Sequence, residues 1–153
     1  MTYKQLILAL NTERVARFAV HDLLKADHVD RHQYRVALFY AFLGGKELLP
    51  ALVHDMIESI TGDLPSPIKK YLTGLDTWDH FEVPFKSKYE KHLCRIADKL
   101  DIVYVLGKQK QLTGRLPRSL RKIYIRDKAT AIKMAKELKK IKEVRLLLKE
   151  VVK

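Results

Sequence analysis

Apolar residues recur at intervals of three and four along most of the chain, which is the spacing of one face of an α-helix. The longest regular run lies within residues 86–110. The same spacing predicts helices over residues 3–18, from Asp30 as N-cap to Phe42, and from Lys46 onward. No stretch alternates apolar and polar residues as a half-buried strand would. The pattern therefore predicts an all-α helical bundle.

Glycine and proline separate the predicted helices. The pair Gly44-Gly45 ends the second helix, and Pro50 falls in the first turn of the third, where proline is tolerated. The Gly-Arg-Leu-Pro run at residues 114–117 separates the 86–110 helix from two further helices, expected over residues 118–125 and 128–151. Residues 21–28 and 74–84 read as loops, and residues 68–72 as a brief helix. We expect residues 1–153 to form a single domain, with residues 107–153 as a C-terminal helical extension.

Charge is distributed unevenly along these helices. The 153 residues carry a net charge of +12, and residues 107–153 hold 16 Lys and Arg against 4 Asp and Glu, whereas residues 1–106 hold 14 of each. A basic surface of this kind can bind nucleic acid, assist an anionic substrate, contact another subunit or simply face solvent. No helix-turn-helix, zinc-finger or RNA-binding signature accompanies the charge. We therefore expect a solvated or subunit-contacting face in a homo-oligomer, and no nucleic-acid partner.

The remaining composition indicates a cytoplasmic protein. A single cysteine, Cys94, excludes an internal disulfide and is typical of a reducing compartment. The apolar stretch at residues 6–10 is too short to cross a membrane and lacks the basic flank of a signal peptide. We expect no membrane partner.

The segment at residues 54–65 carries the most chemistry. On a helix, Glu58 follows His54 by four residues and Asp55 by three, so the three side chains would share one face. The adjacent imidazole and carboxylate can reach one divalent ion, and Glu58 can reach the water that the ion activates. A Thr-Gly pair then ends the helix, and the following prolines prevent its continuation, so Asp63 would project from a turn beside the same site.

This segment, extended to residue 67, resembles bacterial 5′-deoxynucleotidases of the HD-domain phosphohydrolase superfamily. In that superfamily the metal ligands follow the order His, His-Asp, Asp. His32 in Asp-Arg-His-Gln and Asp98 in Ile-Ala-Asp-Lys-Leu stand in that order around the His54-Asp55 pair. The resemblance covers about two thirds of the chain and implies an HD-domain helical bundle. The stretch between residues 72 and 98 is shorter than in the bacterial enzymes, which leaves the substrate specificity open.

The resemblance implies one metal ion between helices. Two imidazole nitrogens and two carboxylate oxygens suit Mn²⁺, Fe²⁺, Co²⁺, Ni²⁺ or Zn²⁺, and suit Mg²⁺ less well. Asp101, one turn after Asp98, is the alternative for the last ligand. A second His-Asp pair at residues 21–22 lacks the following Glu and turn, so it is not expected to bind metal. The implied ligands are His32, His54, Asp55 and Asp98, with Glu58 as general base.

The resemblance also implies substrate contacts. Arg17 and Phe18 precede His32 at the spacing at which the family places an Arg followed by an aromatic residue. The guanidinium would bind phosphate, and the ring would stack on the base, although the family has Trp at the aromatic position. Val20 would shape the same wall, and Asp63 would contact the sugar or assist the leaving oxygen. Lys69 could meet further phosphates or face solvent.

The implied function is metal-dependent hydrolysis of a deoxynucleoside 5′-monophosphate to deoxynucleoside and phosphate. One alternative is a small deoxynucleoside triphosphate triphosphohydrolase that controls a nucleotide pool, with dATP as the candidate substrate. A second alternative is a non-catalytic nucleic-acid-binding protein on an HD fold. The complete ligand set argues against that alternative, because a relic should have lost at least one ligand.

Overall fold

The computed structural model describes residues 16–17, 27–61 and 83–151. Their regular secondary structure is helical apart from one antiparallel pair of two-residue strands, in which Ala16 lies opposite His28 and Arg17 opposite Asp27. The predicted all-α fold is therefore confirmed. In chain order the elements are β1 (Ala16–Arg17), β2 (Asp27–His28), α1 (Val29–Phe42), α2 (Leu48–Leu52), α3 (Glu58–Thr61), α4 (Lys88–Thr113), α5 (Arg118–Glu137) and α6 (Ile141–Val151).

The described residues divide into two compact units, and the chain passes between them inside α1 after Tyr34, again after Leu48 and again after Pro84. The first unit contains both strands, the start of α1 and the segment from Leu49 to Thr61. The second contains the rest of α1 and the helices α4, α5 and α6. No helix in the described part of the chain is long and apolar enough to cross a membrane.

The core of the first unit mixes apolar and polar side chains. Val29, Ala51, Val53 and Met56 are buried there. The imidazole of His32 and the carboxyl group of Glu58 are buried as well. Burying ionisable groups is costly unless other groups compensate for the lost hydration. The burial of these two ionisable groups therefore indicates a functional site in the first unit.

The second unit is built on α4. Ser87 caps this helix by accepting a hydrogen bond from the backbone N–H of Glu90 at 3.1 Å, and Gly114 ends it in the left-handed conformation with φ of 72°. Helices α5 and α6 both pack on α4. The apolar positions that predicted α4 form its buried face, namely Leu93, Ile96, Ala97, Leu100, Val103 and Leu106.

Polar side chains tie the connection after α1 to the start of α4. The Tyr40 hydroxyl donates a hydrogen bond to the Glu90 carboxylate, which also accepts one from the Lys46 N–H at 3.2 Å. The Glu47 N–H donates to the Tyr40 hydroxyl at 3.0 Å. Gly45 is required here, because a Cβ at this position would overlap the Tyr40 ring. The predicted stop at the glycine pair is confirmed.

Two predictions near the start of the described chain are wrong in detail. The helix expected over residues 3–18 does not include Ala16 and Arg17, which pair with β2, so Asp27 and His28 are not loop residues either. Cross-strand pairing of this kind leaves no trace in apolar periodicity. Helix α1 also begins at Val29, before Asp30. Asp30 therefore lies in the first turn, where its carboxylate complements the helix dipole, and it is not the N-cap.

The predicted third helix is interrupted at the site. Helix α2 ends at Leu52, and residues 53–57 form successive turns before α3 begins at Glu58. The Met56 N–H donates to the Val53 carbonyl at 3.1 Å, and the Glu58 N–H donates to the Asp55 carbonyl at 2.9 Å. These bonds span three residues, as in a 3₁₀ turn, not four as in an α-helix. The expectation that this segment is one continuous helical face is therefore wrong.

The predicted boundary between the last two helices is also wrong. Helix α5 continues through residues 126–127 to Glu137. Asp127 is buried, and its carboxylate accepts hydrogen bonds from the Arg126 guanidinium at 2.7 and 3.2 Å, which raises the pKa of Arg126. The break falls instead at Lys139, which has φ of 57°. A left-handed lysine is uncommon, so no glycine or proline signal marked this boundary.

Several predictions concern residues that the structure does not describe. These are the helix over residues 3–15, the loop over residues 21–26, the short helix over residues 68–72 and most of the loop over residues 74–84. In the described part, the side chain of Cys94 is buried.

Candidate metal centre

Two histidines meet in the first unit. His32 extends from the first turns of α1 and is fully buried, and His54 comes from the turns that follow α2. Their ring centroids lie 5.0 Å apart with an interplanar angle of 59°. A ring nitrogen of each lies within 4.8 Å of one of the other. The interruption of the predicted helix lies at His54, in the turns that bring its ring next to that of His32.

Both imidazoles face one oxygen of Asp55. The Nε2 atom of His32 lies 3.0 Å from Oδ2 of Asp55, and the Nε2 atom of His54 lies 3.4 Å from the same oxygen. The Asp55 side chain is 27% exposed, whereas that of His32 is 0% exposed. The site thus has a buried histidine on one side and a partly solvated carboxylate on the other.

The backbone sets the protonation pattern of His54. Its Nδ1 atom lies 2.9 Å from the carbonyl oxygen of Ala51 in α2. A carbonyl oxygen can only accept, so Nδ1 carries the proton and donates, and the lone pair of neutral histidine is on Nε2. Nε2 is buried and makes no hydrogen bond to the described residues. It is oriented as metal-binding histidines are, with the other ring nitrogen bonded to a fixed acceptor.

His32, His54 and Asp55 form a trio whose geometry fits a small divalent ion. Oxygen and nitrogen ligands lie about 2.0–2.2 Å from Zn²⁺, which places neighbouring ligand atoms of a four- to six-coordinate site roughly 3.0–3.4 Å apart. The two N···O separations at Asp55 match this range. Two imidazoles and a carboxylate are also ligands that first-row transition ions prefer. The residues present therefore fit the ion that the sequence implies.

Glu58 is buried in the same unit. It is the first residue of α3 and is 3% exposed. Its backbone N–H donates a hydrogen bond to the carbonyl of Asp55, so one turn of chain joins the two residues. Glu58 therefore follows the histidine and aspartate through a tight turn. The prediction that the three side chains share one face of a continuous helix is wrong.

Asp98 and Asp101 lie on α4 in the second unit. Asp98 is 25% exposed and pairs with the Lys99 ammonium at 3.0 Å. Asp101 is fully buried, and the Arg35 guanidinium donates to both of its carboxylate oxygens. Both carboxylates considered for the last ligand pair with a cation, but Asp101 is held through both oxygens and is fully buried, whereas Asp98 is 25% exposed.

Of the remaining predicted site residues, only Arg17 belongs to the part of the chain that the structure describes. Arg17 lies in β1, opposite Asp27 of β2, as part of the strand pair. The predictions for the other four fall outside the described residues and stay predictions: Phe18, Val20, Asp63 and Lys69.

Sequence reasoning missed two cationic residues. Arg35 follows His32 by three residues, and Lys99 directly follows Asp98. Each forms an ion pair with a carboxylate of α4. A signal existed for both, because each lies within one helical turn of a predicted ligand and carries a charge opposite to that of the nearby carboxylates.

The structure is similar to a solved HD phosphohydrolase. One matching chain is the cyanophage S-2L HD phosphohydrolase DatZ bound to dA and one catalytic Zn²⁺ ion. The TM-score is 0.70 at 16% sequence identity, and the match covers 99% of this chain and 96% of that chain. No protein-family model matches the chain, and no curated protein matches it in sequence. The chain has the HD phosphohydrolase fold, as predicted.

Proposed function

We propose that this protein is a metal-dependent phosphohydrolase that acts on 5′-deoxynucleotides and releases phosphate from deoxynucleoside monophosphates. The observation that carries the proposal is the convergence of His32 Nε2 and His54 Nε2 on one oxygen of Asp55, at 3.0 and 3.4 Å. Separations of this size suit ligands of a single ion. The HD fold supports the same reading.

The ion is proposed to be held by the trio together with Asp98. The donor set of two nitrogens and two carboxylates favours Zn²⁺, Mn²⁺, Fe²⁺, Co²⁺ or Ni²⁺ over Mg²⁺. The Zn²⁺ in the cyanophage protein supports this choice. A bound divalent ion supplies Lewis acidity, which polarises a phosphoryl oxygen and makes water a better nucleophile at neutral pH.

The residues of the chain would handle the proton and the ligand geometry. The Ala51 carbonyl keeps the His54 proton on Nδ1, so Nε2 is available as a ligand. His32 would bind the ion through Nε2, which must offer its lone pair as a ligating imidazole nitrogen does. Glu58, buried one turn after Asp55, would accept the proton of the attacking water.

The substrate would be recognised by residues before and after the trio. The Arg17 guanidinium would hold the phosphate in a bidentate contact. Phe18 and Val20 would face the base, and Asp63 would contact the sugar or the leaving oxygen. Lys69 would assist with phosphate. The dA bound to the cyanophage protein supports a site for a purine deoxynucleoside.

A second candidate is hydrolysis of a deoxynucleoside triphosphate, with dATP as the first substrate to examine. Two observations favour it: one similar solved structure is that of a cyanophage HD phosphohydrolase with dA bound, and residues 107–153 carry 16 basic residues. A positive electrostatic field from these basic residues would strengthen the binding of the two additional phosphates of a triphosphate. A non-catalytic nucleic-acid-binding role is less well supported, since the three ligands of the first unit are intact.

Product analysis tests these candidates. Metal-depleted protein would be incubated with dAMP, dATP and the other deoxynucleotides, with Mn²⁺, Co²⁺, Zn²⁺ or Mg²⁺ added separately, and the products separated by anion exchange. Release of inorganic phosphate from dAMP supports the monophosphatase, and release of triphosphate from dATP supports the alternative. Absence of any product with every metal, from protein shown to bind Mn²⁺, contradicts both. Asp55→Asn is the inactive control.

A further inference from the structure

Helix α5 carries most of its positive charge on one exposed side. Its sequence contains seven Lys and Arg residues and two acidic ones. Residues three or four apart lie on the same face of a helix, so a row of exposed positions runs along α5 with Ala129 near its middle. The row is about 27 Å long, since an α-helix rises about 1.5 Å per residue. Its five cations are here called the basic face: Arg118, Lys122, Arg126, Lys133 and Lys136.

The basic face exists because α5 is one continuous helix. The apolar periodicity predicted a break at residues 126–127, which would have divided these cations between two helices. The structure instead continues α5 through these residues to Glu137. On the opposite side of the helix Leu120, Ala131 and Ala135 are buried, and α5 packs on α4. The apolar side of α5 is therefore already covered, and the basic face is the side that meets solvent.

Little negative charge offsets the basic face. Asp127 is buried, and its carboxylate accepts hydrogen bonds from the guanidinium of Arg126, which remains 66% exposed. The second acid of α5, Glu137, is the last residue of the helix. No carboxylate of the described residues forms an ion pair with the other four cations of the face. These four charges therefore project a positive field into solvent.

An extended row of cations suits an extended polyanion. Lys and Arg bind the phosphates of DNA and release its condensed counterions, and a basic stripe along a helix is the usual footprint of such binding. The major groove of B-DNA is about 12 Å wide and admits an α-helix. Single strands bind instead through stacking on aromatic side chains. The aromatic residue of α5, Tyr124, is half-buried beneath the ammonium of Lys128, which lies 6.0 Å from the ring centroid, so a duplex fits better than a single strand.

A membrane surface fits the basic face less well. Helices that lie on membranes bury an apolar face in the lipid while their cations contact the head groups. The apolar side of α5 is packed on α4 and is not available for lipid. Among the large apolar residues of α5, Ile125 is the exposed one, at 56%. One such side chain is too little for stable insertion, so the observations favour nucleic acid.

We propose that the basic face of α5 binds the phosphate backbone of double-stranded DNA without reading its sequence. Phosphate contacts fix the position of a protein on a duplex and carry no sequence information. The expectation of no nucleic-acid partner rested on the lack of a helix-turn-helix or zinc-finger signature, and backbone binding requires neither. The inference goes beyond the proposed hydrolysis, because α5 contains none of the proposed metal ligands or substrate contacts.

Fluorescence anisotropy with a labelled duplex of roughly 20 base pairs, about two turns of B-DNA, tests the proposal. Four phosphate contacts predict that the logarithm of the association constant falls against the logarithm of salt concentration with a slope of roughly −3.6. The triple variant Lys122→Gln, Lys133→Gln, Lys136→Gln should make this slope about 2.7 shallower and weaken binding at least about tenfold at roughly 50 mM salt. Gln has nearly the helix propensity of Lys, so circular dichroism should show unchanged helicity.

The matched control is the triple variant Lys88→Gln, Lys91→Gln, Arg95→Gln. These three cations are exposed on α4, three and four residues apart, and their replacement lowers the net charge by the same amount. The control should leave duplex affinity within about threefold of wild type and the salt slope nearly unchanged, because these charges make no phosphate contact. Equal weakening by the two triple variants would mean that net charge alone attracts DNA, and the inference would be wrong.

Three other outcomes would overturn the inference. A single strand of the same length that binds as tightly as the duplex would contradict the duplex assignment. Binding to phosphatidylserine vesicles but not to the duplex, lost in the α5 variant, would assign the face to membranes. A higher KM for dATP in that variant with unchanged duplex affinity would assign it to substrate recruitment.

The inference and the proposed function can fail separately. Wild-type protein that binds the duplex but hydrolyses no deoxynucleotide would refute the proposed function and still support the inference, provided that the α5 variant loses the binding. Wild-type protein that hydrolyses deoxynucleotides but does not bind the duplex at roughly 50 mM salt, where backbone contacts are strong, would refute the inference alone.

Discussion

His54 holds its Nδ1 atom 2.9 Å from the carbonyl oxygen of Ala51, the residue three positions earlier in the chain. The acceptor belongs to the backbone of α2 and cannot be removed by changing a side chain. It fixes both the ring orientation and the tautomer, with Nε2 left to face Asp55 at 3.4 Å. Local chain geometry therefore holds this histidine in the tautomer that the proposed metal site requires.

Loss of that histidine should abolish metal binding. His54→Ala removes one ligand and leaves the carboxylate of Asp55 with one fewer partner, so both Mn²⁺ binding and hydrolysis should fall below detection. Calorimetry on metal-depleted protein with added Mn²⁺ is the measurement. His21→Ala, in the other His-Asp pair, should change neither quantity. Wild-type-like metal affinity in His54→Ala would exclude this site.

Glu58 should affect turnover and not metal content. Glu58→Gln keeps the size of this buried side chain but removes the proton acceptor, so kcat should drop by roughly two to four orders of magnitude. The metal content after dialysis, measured by elemental analysis, should stay near that of wild type. A parallel loss of metal and turnover would make Glu58 a ligand and refute its assignment as general base.

Tyr40 should make stability depend on alkaline pH. Burial, together with the hydrogen bond to Glu90, raises the pKa of Tyr40 well above its ordinary value of 10.0. Because this pKa is higher in the folded state than in the unfolded state, the protonated hydroxyl stabilises the folded protein at every pH below the unfolded-state pKa. The contribution is therefore complete below about pH 10 and is lost as the pH rises above it.

Urea unfolding of wild type and Tyr40→Phe measures this effect. At pH 7 the variant should be less stable by about 1–3 kcal/mol, because it leaves a buried acceptor with one fewer donor. Between about pH 10 and pH 12 the difference should shrink, since only wild type loses the Tyr40 contribution. A difference that stays constant across this range would contradict the raised pKa.

The basic helices should contribute little to substrate binding. Arg121, Lys122 and Lys133 are exposed on α5. Replacing the three with Gln should leave KM for dAMP nearly unchanged, because Arg17 is the proposed phosphate contact. Steady-state kinetics at several salt concentrations is the measurement. A KM that rises more for dATP than for dAMP, with a steep salt dependence in wild type, would assign these helices to substrate recruitment.

The sequence predicts the long helices well because their signals are local. Helix α4 has an uninterrupted apolar repeat, a serine at its N-cap and a glycine at its C-cap, and all three appear in the structure. The end of α5 has no such signal, since Lys139 adopts a left-handed conformation that glycine usually provides. Its position depends on packing, which periodicity does not report.

The site was predictable in its residue types but not in its geometry. The order of histidines and aspartates along the chain suggested a metal centre, yet the same segment read as a continuous helix. Val53 and Met56 are both buried, three residues apart, and the chain between them turns more tightly than an α-helix. Whether this segment forms a continuous α-helix or a series of tight turns depends on how its side chains are buried against the rest of the protein. The local sequence alone could not distinguish the two.

The network that joins Tyr40, Glu47 and Glu90 has a consequence for local opening of the chain. Outside regular helix, the amides of Lys46 and Glu47 bond to the Glu90 carboxylate and the Tyr40 hydroxyl, and the amide of Lys86 bonds to the Glu47 carboxylate at 2.8 Å. Each of these amides depends on a side chain that another part of the network holds. They should therefore exchange with deuterium as one cooperative unit, more slowly than exposed loop amides and together with the first turn of α4.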